Sequence, residues 1–178
     1  QTAEAESAWK EAIAKDSRYM PAYAALSQHY LDKNDPDGAI RYAEEALKAS
    51  PGDSQARLHL GAAYVMKKYY KEAIVELERF SKDNPDNPAG LHPLGMAYAA
   101  LGKDSSAEAA FESALKQDPQ NIQVLSGLAG LHIARKQPET ALQRVDRQIQ
   151  QFPSSAKLQE LKGQIYMRLE KHANAEES

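Results

Sequence analysis

The sequence predicts an all-α protein, an α-solenoid of antiparallel helix hairpins, and three observations carry that prediction. Pro51, Pro85, Pro119 and Pro153 stand 34 residues apart. Small residues return in the same frame at Ala39, Ala73, Ala107, Ala141 and Ala175. At another phase of it stand Tyr30, Tyr64, Tyr98 and Tyr166. A fixed period of this size marks stacked supersecondary units, each burying its apolar face only against its neighbours.

The elements follow in order. Residues 1–19 read as the second helix of a truncated repeat, because Ala5, Trp9 and Ala12 hold the places taken later by Ala39, Ala43 and Ala46. Complete units then run over 20–53, 54–87, 88–121 and 122–155, and residues 156–178 read as the first helix of a further truncated repeat. In the unit 54–87, Leu60, Ala63, Tyr64 and Lys67 fall at i, i+3, i+4 and i+7. Ile74, Leu77 and Ser81 continue the spacing after a break at Lys67-Lys68-Tyr69-Tyr70. Two amphipathic segments joined by a short turn make a helical hairpin.

Punctuation agrees with that division. Asp35-Pro36 and Asn87-Pro88 place a capping side chain before a proline at the first helical position. Ser50-Pro51, Asn84-Pro85, Asp118-Pro119 and Phe152-Pro153 close helices, since the residue before proline is pushed out of the α region. Gly61, Gly95 and Gly163, with Ser27 and Ala129, recur where two helices must come close. A mid-helix glycine costs ~1 kcal/mol against alanine, so its return at one phase has a packing reason. Pro93 falls about a turn and a half into the first helix of the unit 88–121, and a local kink is expected there.

Leu60-Gly61-x-x-Tyr64 with Ala73, Leu77 and Pro85 resembles the tetratricopeptide repeat family. So does Leu94-Gly95-x-x-Tyr98 with Ala107, Phe111, Ala114 and Pro119, and the resemblance covers essentially the whole chain. It implies a right-handed superhelix. Departures are local: His132 stands for the recurring Tyr, Gln148 for a small residue and Lys162 for a Leu. Leu158, Leu161, Ile165 and Leu169 offer the last helix an alternative apolar stripe, and with it a slightly rotated packing.

Composition narrows the function. The 178 residues are 42% apolar, enough for a continuous core, and carry a net charge of −3. No global basic field exists to attract nucleic acid or anionic lipid. No apolar run approaches the roughly 20 residues of a membrane span, so membrane insertion is not expected. Cys is absent, which removes thiolate sites and leaves the compartment open. His29, His59, His92, His132 and His172 include no i, i+4 pair and no HExxH, and read as packing or surface histidines. Asp35-Pro36-Asp37-Gly38 reads as a helix cap, because the oxygen-ligand spacing of a calcium loop is missing. Lys67-Lys68 and Glu44-Glu45 read as solvated faces. No nucleophile elbow, phosphate cradle or dinucleotide fingerprint is present, so neither catalysis nor a cofactor or metal is expected.

What remains is a non-catalytic scaffold that binds a protein or peptide. By the resemblance, first helices line a concave face, which here would comprise Gln28 and Leu31, then Leu58, Ala62, Val65 and Met66. His92, Met96 and Ala99 follow, and then Gln123, Ser126, Gly130 and Ile133. That uncharged stripe suits an apolar or amphipathic segment. Some members of the family grip a C-terminal carboxylate with Lys, Arg and Asn on consecutive first helices. The matching places hold Ala24, Gln28, His59, Ala89 and Pro93 here, or one unit on Leu58, Ala62, Pro93, Gln123 and Gly127, so such a clamp is not expected. Two alternatives stand beside the scaffold: a segment of a long bacterial array serving polysaccharide or pilus export in the cell envelope, and an accessory domain of an enzyme. End-to-end self-association through the terminal helices is expected as well.

Overall fold

The computed structural model describes residues 2–176 of the chain, and the side chains of residues 3–170. Among them stand ten α-helices, one 3-10 turn and no strand. Helix α1 is Thr2–Lys15; α2 (Met20–Asp32) pairs with α3 (Pro36–Ala49), and α4 (Ser54–Met66) with α5 (Tyr70–Asp83). The next pairs are α6 (Leu91–Ala100) with α7 (Asp104–Gln117), and α8 (Ile122–Ala134) with α9 (Pro138–Gln151). Helix α10 (Ala156–Glu176) packs on α8 and α9. The backbones of α2, α4, α6, α8 and α10 approach one another in series, whereas those of α3, α5, α7 and α9 come close only to first helices and, for α5 and α7, to the 3-10 turn. The layer with the closer spacing is the inner one, so the stack of hairpins curves with its first helices on the concave side.

Each hairpin turns in the same way. Asn34, Lys68, Gly102 and Lys136, again one period apart, have φ of 57°, 62°, 68° and 58°. The residue after each donates its N–H back to Tyr30, Tyr64, Tyr98 or His132, at 2.8 to 2.9 Å. This is a left-handed residue closing the helix end, with a six-residue back bond that satisfies a terminal carbonyl. The run Lys67-Lys68 therefore has two assignments beyond solvation: Lys68 makes the turn, and Lys67 bonds Asp37 at 2.8 Å. The starts of α3, α4 and α8 are capped by side chains. Asp35 accepts from the Gly38 N–H at 3.0 Å, which is the cap the sequence implied, and Asp53 and Asn121 cap α4 and α8.

Between paired helices the glycine niches are filled by the second helix. A Cβ on Gly61 would stand 2.5 Å from Leu77 Cγ, and one on Gly95 would stand 2.6 Å from Phe111 Cε1. Neighbouring units are tied by tyrosine hydroxyls: Tyr30 donates to Glu6 at 2.7 Å, Tyr64 to Glu44 at 3.5 Å and Tyr98 to Glu78. Burial, then the Glu78 carboxylate, push the Tyr98 phenol up to about 12. Arg57 is buried, bonding Glu76 at 2.9 Å and the Pro51 carbonyl at 2.7 Å.

The region around Pro93 differs from the expectation of a kink at the proline. The segment starts as a 3-10 turn at Pro88–Gly90, and the α-helix begins only at Leu91. Pro93 is thus the third residue of α6, among the positions whose N–H groups have no partner inside their own helix. The change of winding lies before the proline. In α10, Leu158, Leu161 and Ile165 are buried and Leu169 is partly buried, while Tyr166 is 48% exposed. Ala175 and His172 lie outside the residues whose side chains are described.

Candidate partner-binding groove

A cleft of about 780 Å³ opens on the concave side between α6, α8 and α10. Phe111 forms its floor. This ring is 1% exposed and reaches from α7 between Gly95 and Gly127, either of which would clash with it if it carried a Cβ. From α6 come His92, Met96 and Ala99, from α8 Gln123, Ser126, Gly127 and Gly130, and from α10 Leu161, Gln164 and Arg168. Met96 is 42% exposed and is the large apolar side chain most open to the cleft. His92 is half-buried with its ring centroid 6.1 Å from that of Phe111. Burial lowers its pKa, opposed by a hydrogen bond to the Gln123 backbone, so the imidazole presented is neutral near pH 7.

The rim is charged where the walls are not. Arg135 bonds Asp104 at 3.0 Å and Glu108 at 2.7 Å, locking α8 to α7 beside the cleft. Arg168 extends from α10 toward Gly130, its Nη1 lying 3.6 Å from where a Cβ of that glycine would stand.

Of the stripe read from the sequence, His92, Met96, Ala99, Gln123, Ser126 and Gly130 come together in this cleft. The others do not line it. Ile133 packs partly against the C-terminal core, and Leu58 and Val65 pack against the cluster of Ala73, Ile74, Leu77, Leu94 and Ala97. Gln28 is held within its own helix, donating to Asp32 at 2.7 Å. Leu31 and Ala62 are half-buried, and Met66 is exposed. Sequence reasoning missed Phe111, Leu161, Gln164, Arg168, Asp104 and Arg135 as parts of the cleft. The pairing of Gly127 with Gly130 was the available signal, since two small residues one turn apart on an otherwise apolar helix leave room above it.

The histidines divide by environment. His59 is 3% exposed, with Gln55 Nε2 2.6 Å from its Nε2 and Ser27 Oγ 2.5 Å from its Nδ1. Burial lowers its pKa to about 4, so the ring is neutral and donates from Nδ1 to Ser27, whose hydroxyl donates onward to the Tyr23 carbonyl at 2.8 Å. His29 lies against Glu6 and Trp9. His132 is buried, and its Nδ1 has no hydrogen-bond partner. Among the described residues no three of the His, Asp and Glu side chains cluster as a metal site requires, and no helix is long and apolar enough to cross a membrane.

Fold and cleft together define a helical-repeat protein with one continuous concave surface. Residues 30–101 and 98–165 match the sequence profile of the tetratricopeptide repeat, and the chain belongs to that family. Among curated proteins it is 30% identical over 107 residues to the heat shock protein sti1 homolog of Schizosaccharomyces pombe, a match spanning 60% of this chain and 18% of that protein. The fold is similar to a thermophilic repeat protein of Thermus thermophilus, with a TM-score of 0.75 and 20% identity over 91% of this chain and 89% of the other. It is also similar to YrrB, described as having an unusual peptide-binding site, with a TM-score of 0.69 and 23% identity over 91% and 84% of the two chains.

Proposed function

We propose that this chain is a non-catalytic scaffold that holds an amphipathic polypeptide segment in the cleft between α6, α8 and α10. The observation that carries the reading is the cleft itself: apolar walls from Met96, Ala99 and Leu161, an aromatic floor, and amides and hydroxyls at Gln123, Ser126 and Gln164. Such a surface takes apolar anchors spaced along a helix or an extended strand, while its few polar groups fix direction. Flexible methionine adapts to more than one anchor shape. Arg168 offers a cation to an acidic residue of the segment. The peptide-binding site named for YrrB suits a binding module. The C-terminal-carboxylate mode is disfavoured, because His59, at one of its places, is buried and already bonded.

The test is selection of displayed random peptides on the 178-residue chain, followed by titration against variants. Met96→Glu places a charge among the apolar walls and should abolish binding with helicity unchanged. Met66→Glu, on the exposed stripe outside the cleft, should leave it intact. Peptides that bind both variants equally would refute this assignment of the groove.

A further inference from the structure

The cleft between α6, α8 and α10 has a length and two unlike ends. Helix α8 lines it from Gln123 to Arg135, with α6 as one wall and α10 as the other. At 1.5 Å per residue that path is roughly 16 Å, or about three helical turns. Along it α8 presents Ser126, Gly130 and Ala134, at i, i+4 and i+8, so another backbone can lie close against this face.

Main-chain hydrogen bonding decides the form of the occupant. An extended segment spanning roughly 16 Å has about five residues, hence about ten main-chain donors and acceptors. Between the charged ends the cleft offers them only Gln123, Ser126, Gln164 and the His92 ring, on walls otherwise apolar or small. A helix satisfies its own main chain and needs from the cleft only an apolar face.

Charge sets the direction. At the end beside the C-terminus of α8, Arg135 pairs with Asp104 at 3.0 Å and with Glu108 outside the lining, whereas Arg168 has no carboxylate partner among the described residues. At the other end a side pocket of about 260 Å³ shares His92 and Gln123 with the cleft. Its charged residue is Asp118, which accepts from the Gln120 N–H and the Asn121 amide, both at 3.2 Å, and meets no cation among the described residues. Lys157 and Glu160 of α10 flank the same end with opposite signs.

Building on the groove assigned above, we propose that its occupant is an amphipathic helix of about three turns lying antiparallel to α8, with an acidic residue of its first turn at Arg168 and a basic residue of its last turn toward Asp118. Acidic first turns and basic last turns are those that suit a helix's own dipole, and the antiparallel direction opposes the dipoles of α6, α8 and α10.

Displayed peptides that bind the wild-type chain and lose binding to Met96→Glu supply the probes. Their sequences should place apolar residues at helical spacing between an acidic residue and, about two to three turns later, a basic one, and their circular dichroism should gain helix on binding. Arg168→Glu should weaken them roughly three- to tenfold, as reversal of an exposed ion pair does. Changing the peptide's first-turn acid to Lys should restore its binding to that variant. Asp118→Asn, which keeps an oxygen to accept from Gln120, should weaken the original peptides roughly two- to fivefold. Peptides that require Met96 yet gain no helix, or that bind Arg168→Glu and Asp118→Asn as well as wild type, would overturn the helix and its direction while the groove stands. If no selected peptide requires Met96, groove and helix fall together.

Discussion

Substitution at the hairpin turns should change stability with opposite signs at two equivalent positions. Lys68 and Gly102 sit one period apart at φ of 62° and 68°. A Cβ at Gly102 would meet nothing within 4 Å, so Gly102→Ala introduces no clash and only the backbone term remains. Holding a non-glycine residue in the left-handed region costs ~1–2 kcal/mol. Against this, alanine at a glycine position stiffens the unfolded chain and returns ~0.4–1 kcal/mol. The difference leaves Gly102→Ala destabilising by about 0.5–1 kcal/mol, and Lys68→Gly stabilising by a similar amount. In a chain of this length that corresponds to roughly 1–4 °C in Tm, down for Gly102→Ala and up for Lys68→Gly. Urea and thermal unfolding followed by circular dichroism measure it. If both substitutions move Tm in the same direction, the turns are not governed by left-handed strain and the reasoning fails.

Other expectations follow from single contacts. Gly95→Ala pushes a methyl into the Phe111 ring and should destabilise by ~1–3 kcal/mol despite its better helix propensity, as overpacking does; the urea midpoint checks it. The pKa of His59 is lowered in the fold to about 4 from 6.5, so the unfolded chain binds the extra proton between those values and stability falls as pH drops through them. Acidifying from about pH 7 to about pH 5 should remove about 2 kcal/mol through this residue, and His59→Gln should flatten that slope in urea titrations at the two pH values. An acidic peptide ending in a free carboxylate should give no saturable heat in isothermal titration, and micromolar binding would contradict the groove described here.

Period and punctuation made most of the fold legible. Proline can sit only at a helix start or just past its end, so Pro36, Pro51, Pro88 and Pro119 bracket helices before any packing is known. A glycine recurring on an apolar helix requires a close neighbour, which proved to be Leu77 and Phe111. The turns were not readable in the same way. Asn34 and Gly102 suit a left-handed residue, but Lys68 and Lys136 give no such signal, and their conformation follows from two docked helices forcing the chain to reverse. Nothing in its position along the chain marks Arg57 as buried, and its burial follows from Glu76 and the Pro51 carbonyl being placed around it. The candidate site was half legible. Phase identifies which side chains face inward, whereas the width of the space between first helices depends on how far each hairpin tilts. That tilt is set by packing contacts made elsewhere.

The junction beneath the cleft differs from the others in its side-chain ties. Through the first three junctions a tyrosine on one unit bonds a carboxylate of the unit before it, at Tyr30–Glu6, Tyr64–Glu44 and Tyr98–Glu78. At the fourth, His132 stands in the tyrosine's place without a partner for Nδ1, and Glu112 instead accepts from Arg144 on α9, with Nε at 2.9 Å. The tie between first and second helices of adjacent units is thereby replaced by one between two second helices on the convex side. The cleft opens along α8, and Phe111 reaches beneath it to Gly127, where a Cβ would meet the ring.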